Sequence, residues 1–133
     1  AMEERLYQEY PLLEQKFIEQ YHLKTVAETE ADIDEWFERI CKILQDTWEQ
    51  PYDEVKELIL MVAAFWQQRF CEFVGAECEH EERIHVTAVT CKYGYFPSLG
   101  PIVYQWKNKC DENSMTGMKY CRDLMKDIFV GRR

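Results

Sequence analysis

The sequence predicts an α+β fold that is predominantly α. Four or five helices are expected to pack around a central apolar helix over about residues 53–74, with a β-hairpin over about residues 84–107 between that helix and the C-terminal one. Three observations carry this. Leu58 to Trp66 is an unbroken apolar run, Ile33 to Trp48 repeats its apolar residues at helical spacing, and Ile84 to Phe96 is rich in Val, Thr and aromatics with partial alternation. A chain of 133 residues has the size of one domain, 1–133, and such a chain buries roughly two thirds of its unfolded surface.

The first helix is expected from Pro11 to Leu23, where Leu13, Phe17, Ile18 and Tyr21 recur at helical spacing. Pro11 suits a first-turn position because its missing N–H would be unpaired there, so the residues before it are expected to form a separate short turn. Thr25 to Asp32 is polar and reads as a connection, with Thr29 or Asp32 as a cap. The second helix, about Glu30 to Trp48, puts Ile33, Trp36, Phe37, Ile40, Cys41, Leu44 and Trp48 on one face and Asp34, Glu35, Glu38, Lys42 and Gln45 on the other.

Gln50-Pro51 breaks that pattern, and Asp53 favours the dipole of the central helix. A helix apolar all round must be covered on most sides. Its nine-residue apolar core is far short of the ~20 residues that span a bilayer, and Gly75 is its expected stop. Ala76 to Arg83 reads as an acidic connection. Pro97, Gly100 and Pro101 mark a turn before a second extended run, Ile102 to Trp106. A last helix, capped by Asn113 or Ser114, carries Met115, Met118, Cys121, Leu124, Met125, Ile128 and Phe129 and ends at Gly131.

The net charge of -9 is unevenly placed, with 13 acidic and 5 basic side chains in residues 1–50 but 4 and 7 in residues 101–133. Nucleic-acid binding needs clustered Lys and Arg, so this surface disfavours it, and the expected partner is a protein with a basic surface. The first twenty residues form no apolar signal segment, and Ala1-Met2 reads as a remnant residue before an initiator Met. An intracellular setting and free thiols for the six cysteines are therefore the expectation.

Cys78, His80, His85 and Cys91 form the one candidate metal constellation, offering two thiolates and two imidazoles to a zinc ion. The zincin motif needs two His four apart, whereas His80 and His85 are five apart and would diverge on a helix. If a strand began at Ile84, His85 and Cys91 would share a face. The simpler reading is an acidic loop with an exposed His followed by a strand with one buried thiol, so no cofactor is expected and zinc is the alternative.

No catalytic motif is complete. Glu72, Glu77 and Glu79 beside Cys71 and Cys78 oppose thiolate formation, and the glycines form neither a Walker nor a dinucleotide pattern. The leading expectation is a non-enzymatic protein-binding module, a small acidic regulator or inhibitor of the immunity-protein, effector or viral-accessory type. A zinc-stabilised interaction domain and a small enzyme whose site is assembled only by the fold are the alternatives. Candidate partner-binding residues are Tyr93, Tyr95, Phe96 and Leu99 on the proline-stiffened turn, and Asp34, Glu35 and Glu38 on the acidic helix face.

Overall fold

The computed structural model describes residues 1–132. Five helices and a three-stranded antiparallel sheet follow in the order α1 (Met2–Tyr21), α2 (Glu30–Gln45), α3 (Tyr52–Val74), β1 (Cys78–Glu81), β2 (Val86–Cys91), β3 (Gly94–Pro97), α4 (Gly100–Lys107) and α5 (Thr116–Gly131). The α+β, mainly helical class read from the sequence is the one observed. No helix among the described residues is long and apolar enough to cross a membrane.

Helix α1 is continuous through Pro11, which corrects the expected break there. Proline removes one backbone hydrogen bond, to the carbonyl of Tyr7 one turn earlier. Pro11 and Tyr7 are both exposed, so water can take that carbonyl. Leu6, Leu13 and Phe17, all fully buried, hold both halves of the helix against the core. Tertiary packing thus overrides the local penalty. The helix closes with His22 in the left-handed region at φ 53°, its N–H donating to the Ile18 carbonyl.

Helix α2 starts with Thr29 and Asp32 in a capping box. The Asp32 carboxylate accepts the backbone N–H groups of Glu28 at 2.8 Å and Thr29 at 3.2 Å, and Lys24 Nζ lies 3.2 Å away. These contacts hold its carboxyl below the ordinary carboxylate range, the backbone bond from Glu28 first among them. The helix stops at Gln45, short of the expected Trp48, because Thr47 Oγ1 folds back to donate to the Leu44 carbonyl at 2.8 Å and accepts Trp106 Nε1–H at 2.8 Å.

Helix α3 is bounded within one residue of its expected limits. Gly75 at φ 69° ends it, and the N–H groups of Gly75 and Ala76 both reach the Cys71 carbonyl in a Schellman arrangement. Thirteen of its 23 residues are buried. Helix α1 packs along it more extensively than any other element does, and α5, α4 and β2 take further sides. From α2, Trp36 meets Phe65 edge-on at 6.2 Å and Phe37 meets Trp66 at 6.4 Å.

One cation lies inside this apolar packing. Arg69 is 1% exposed, and it donates Nη1 to the Thr25 carbonyl at 2.7 Å, pairs Nη2 with Glu14 at 3.1 Å, and lies 5.1 Å from the Phe65 ring centre. It ties α1, α3 and the α1–α2 connection together. Burial still holds the Glu14 carboxyl above its ordinary range, with Arg69 opposing.

Between α3 and α4 the chain forms a meander of order β1-β2-β3. Cys78 pairs with Val89 and His80 with Thr87 across β1 and β2, and Cys91 pairs with Gly94 across β2 and β3. Two expectations are corrected. The acidic connection contains strand β1, and the single extended run from Ile84 to Phe96 is two strands folded at Lys92-Tyr93, with Gly94 at φ 134° supplying a backbone conformation other residues rarely take. Thr87 anchors the sheet to α1 by donating its N–H and Oγ1–H to Glu3 at 2.9 and 2.6 Å.

The run Ile102 to Trp106 is helical, not extended. Leu99, Ile102 and Trp106 are buried at helical spacing and Pro101 occupies the first turn of α4, so burial and capping prevail over a β-favouring composition. Helix α5 begins at Thr116, just past the expected caps. A turn precedes it in which Asp111 Oδ1 accepts the Ser114 N–H at 2.8 Å.

Arg69→Met is expected to lower unfolding stability by about 2–3 kcal/mol, because the Thr25 carbonyl and Glu14 lose their buried partner; a urea midpoint displaced without a change in slope would show it. Asp32→Asn is expected to destabilise the fold at neutral pH. Because the folded carboxyl is held below its unfolded value, that contribution is present above about pH 4 and fades as pH falls through the folded value. Melting curves of the two proteins should therefore converge in acid.

Candidate functional site

The cover over α3 has a gap near its C-terminal half. Trp66, Gln67 and Phe70 form the floor, Phe96 and Ser98 from the β3 end form one wall, and Ile102 from α4 with Gly117, Met118 and Tyr120 from α5 form the other. The groove has a volume of about 330 Å³, at the low end of the range for ligand-binding clefts. Phe96 packs on Phe70 at 4.7 Å between ring centres and stacks on Tyr120 at 5.9 Å, so the aromatic wall is continuous from core to surface. Tyr95 and Tyr120, 52% and 57% exposed, stand at the rim.

The walls are mostly apolar, and several of the residues that form them carry polar atoms buried beneath the groove surface. Among the described residues seven buried side-chain polar atoms lack a hydrogen-bond partner, and four of them, Trp66 Nε1, Gln67 Nε2, Gln67 Oε1 and Ser98 Oγ, belong to residues lining it. A polar group buried without a partner costs about 1–3 kcal/mol, so such atoms are few in a folded chain. The Gln67 amide lies near enough to the Cys78 thiol to favour its ionised form, but no hydrogen bond of normal geometry joins them. Burial dominates at that thiol and pushes it up. Cys121, also in the wall, is pushed up to about 12 by burial and so remains a neutral thiol.

The candidate zinc ligands do not come together. His80 Nδ1 lies 3.0 Å from Thr87 Oγ1, with its ring stacked on Tyr7 at 5.8 Å, and His85 occupies a turn at φ 54° rather than a strand. Both histidines face a small cleft beside residues 1–4. Cys91 lies four residues along β2 from the partner of His80, about 13 Å of strand away. Cys78 is buried, and among the described residues no group of three or more His, Cys, Asp or Glu side chains is placed to hold a metal ion.

The partner-binding candidates divide. Tyr93 and Tyr95 are exposed and Phe96 is a half-buried groove wall, but Leu99 is 4% exposed and belongs to the core, so it is not offered to a partner. Asp34 is held by Lys126 Nζ from α5 at 2.9 and 3.1 Å, while Glu35 and Glu38 stand exposed on the outer face of α2. Sequence reasoning missed Trp66, Gln67, Ser98, Gly117 and Tyr120. The available signal was Gln67-Gln68, a polar pair directly after the apolar run of an otherwise core helix.

All six cysteines are free. Cys41 and Cys110 meet beside Gln105, whose Nε2 lies 3.5 Å from each sulfur. Interaction between the two neighbouring thiols holds Cys110 below its ordinary value and, with burial, Cys41 above its own, so Cys41 retains its proton. This pair lies away from the groove lining. No protein-family model, no curated protein and no solved structure matches this chain.

A chelator is expected to leave the melting temperature unchanged, since the separated His80, His85, Cys78 and Cys91 form no closed site. A drop of several degrees on treatment, restored by zinc, would contradict that placement.

Proposed function

We propose that this chain is an intracellular, non-enzymatic protein-binding module, an acidic regulator or inhibitor that docks on a more basic protein and anchors it in the groove over α3. The observation that carries the reading is the groove: an open, mostly apolar cleft with tyrosines at its rim. Rigid aromatic rims make low-entropy anchors, and buried cleft positions are where binding energy concentrates. No carboxylate, imidazole, amine or guanidinium lines the cleft, so its walls offer no acid–base group titrating near neutral pH, which favours recognition over proton-transfer chemistry. The net charge of -9 supports a basic partner, because opposite charge speeds encounter and excludes acidic competitors.

The test is affinity capture with wild type beside two groove variants. A Cβ added at Gly117 would meet only Pro101 Cβ, at 3.8 Å, so the first carbon of Gly117→Leu fits and its branched end adds bulk at the groove wall. Wild type is expected to retain a basic protein at low salt and less of it at high salt, while Gly117→Leu and Tyr120→Ala retain about tenfold less. Equal retention by wild type and Gly117→Leu would contradict the groove as the docking surface.

A further inference from the structure

We propose that Cys41 and Cys110 form a paired oxidation site, which a hydroperoxide converts into a disulfide fastening α2 to the connection ahead of α5. The pair lies outside the groove lining, so the proposal stands apart from the docking surface above. Both thiols are free, and Gln105 Nε2 lies 3.5 Å from each sulfur, so one amide nitrogen gathers them into a single cluster. Met115 Sδ, 3.7 Å from Cys41 Sγ, belongs to the same cluster. Gln105 is fully buried and its Oε1 has no partner among the described residues, so the sulfurs are what its amide serves.

The backbone holds Cys110 to this position. Lys109 and Cys110 are consecutive left-handed residues, at φ 53° and 52°, a conformation that residues other than glycine rarely adopt. Such strain persists where the surrounding structure fixes a side chain in place. The Cys110 N–H donates to the Gln105 carbonyl at 2.9 Å, so the turn folds back on the end of α4 and leaves Cys110 buried. Cys41 is buried beside it, and so small an opening suits a small oxidant.

The cysteines are not equivalent as nucleophiles. Interaction with Cys41 lowers Cys110 to about 7, with burial opposing and the Gln105 amide assisting. Burial pushes Cys71 and Cys121 up to about 12. Cys110 therefore carries far more thiolate at neutral pH than either of them, and the thiolate is the reactive form.

The Cys110 thiolate attacks one oxygen of the hydroperoxide. An S–O bond forms, the O–O bond breaks, and the departing hydroxide takes up the proton that Cys110 had released. The charged neighbour that chiefly held the Cys41 proton is then gone. Cys41 gives up that proton and its sulfur attacks the Cys110 sulfur. The S–S bond forms as the S–O bond breaks, and the hydroxide leaves as water with the Cys41 proton. With hydrogen peroxide, two thiols yield one disulfide and two waters, the sulfurs losing the two electrons that the peroxide gains.

The test treats the reduced full chain with hydrogen peroxide, blocks the remaining thiols under denaturing conditions, and maps the peptides by mass spectrometry. Two of the six free thiols should disappear together, in one intramolecular cross-link between the peptides of Cys41 and Cys110 that dithiothreitol reverses. Oxidation of Cys110 should run at least about tenfold faster at pH 7 than that of Cys71 or Cys121. Its rate should reach half its maximum near pH 7. Cys41→Ser should leave a sulfenic acid at Cys110, trapped by dimedone, with no cross-link. A first cross-link between any other two cysteines, Cys110 oxidising no faster than Cys71 and Cys121, or a Cys110 sulfenic acid that persists in the wild type would overturn the proposal. The wild-type mapping decides the matter even if the variant fails to fold.

Discussion

The fold depends on covering α3. A helix apolar on every side cannot rest on a surface, and every other element is placed by the need to bury it. Eleven of its residues belong to the buried apolar core, more than any other element contributes, and each large apolar side chain among them stabilises the fold by about 1.5–3 kcal/mol. That surplus is what lets α1 run straight through Pro11 and lets Arg69 sit inside the core. Both features are unfavourable locally and tolerable only because packing against α3 outweighs them.

Covering a cylinder with short elements of unequal length leaves seams. The sheet closes one side of α3 with strands of four to six residues, and α4 contributes eight residues. Where β3 gives way to α4 and α5 begins, the cover thins and the groove opens above Trp66, Gln67 and Phe70. Gln67 is a buried polar residue of α3 at this seam, flanked by the apolar Trp66 and Phe70.

How much of this was legible in the sequence varied with the range of the forces involved. The limits of α3 were readable because Pro51, extended at its N-cap, and Gly75, left-handed at its end, are local stops that no buried contact opposes. The first half of α1 was not, since the penalty of Pro11 is local while its compensation comes from contacts of Leu6 and Phe17 with a distant helix. Helix α4 was misread because Ile102, Val103 and Tyr104 favour strands, and only the burial of Leu99, Ile102 and Trp106 on one side reveals its period. Strand β1, Cys-Glu-His-Glu, buries a single residue and gives almost no signal. Of the candidate site, the hairpin aromatics Tyr95 and Phe96 were readable as unusual turn residues. Their partners on α3 and α5 were not, because nothing in a single sequence records that Phe96 lies between Phe70 and Tyr120.

The central claim is that the groove above Trp66, Gln67 and Phe70 is where this protein meets its partner. Amide hydrogen exchange of the captured complex against the free chain tests it most directly. The account predicts added protection in β3 and in the first turns of α4 and α5, with little change along the outer face of α2. Protection confined to α2 around Glu35 and Glu38, with β3 and α5 exchanging as in the free chain, would contradict it.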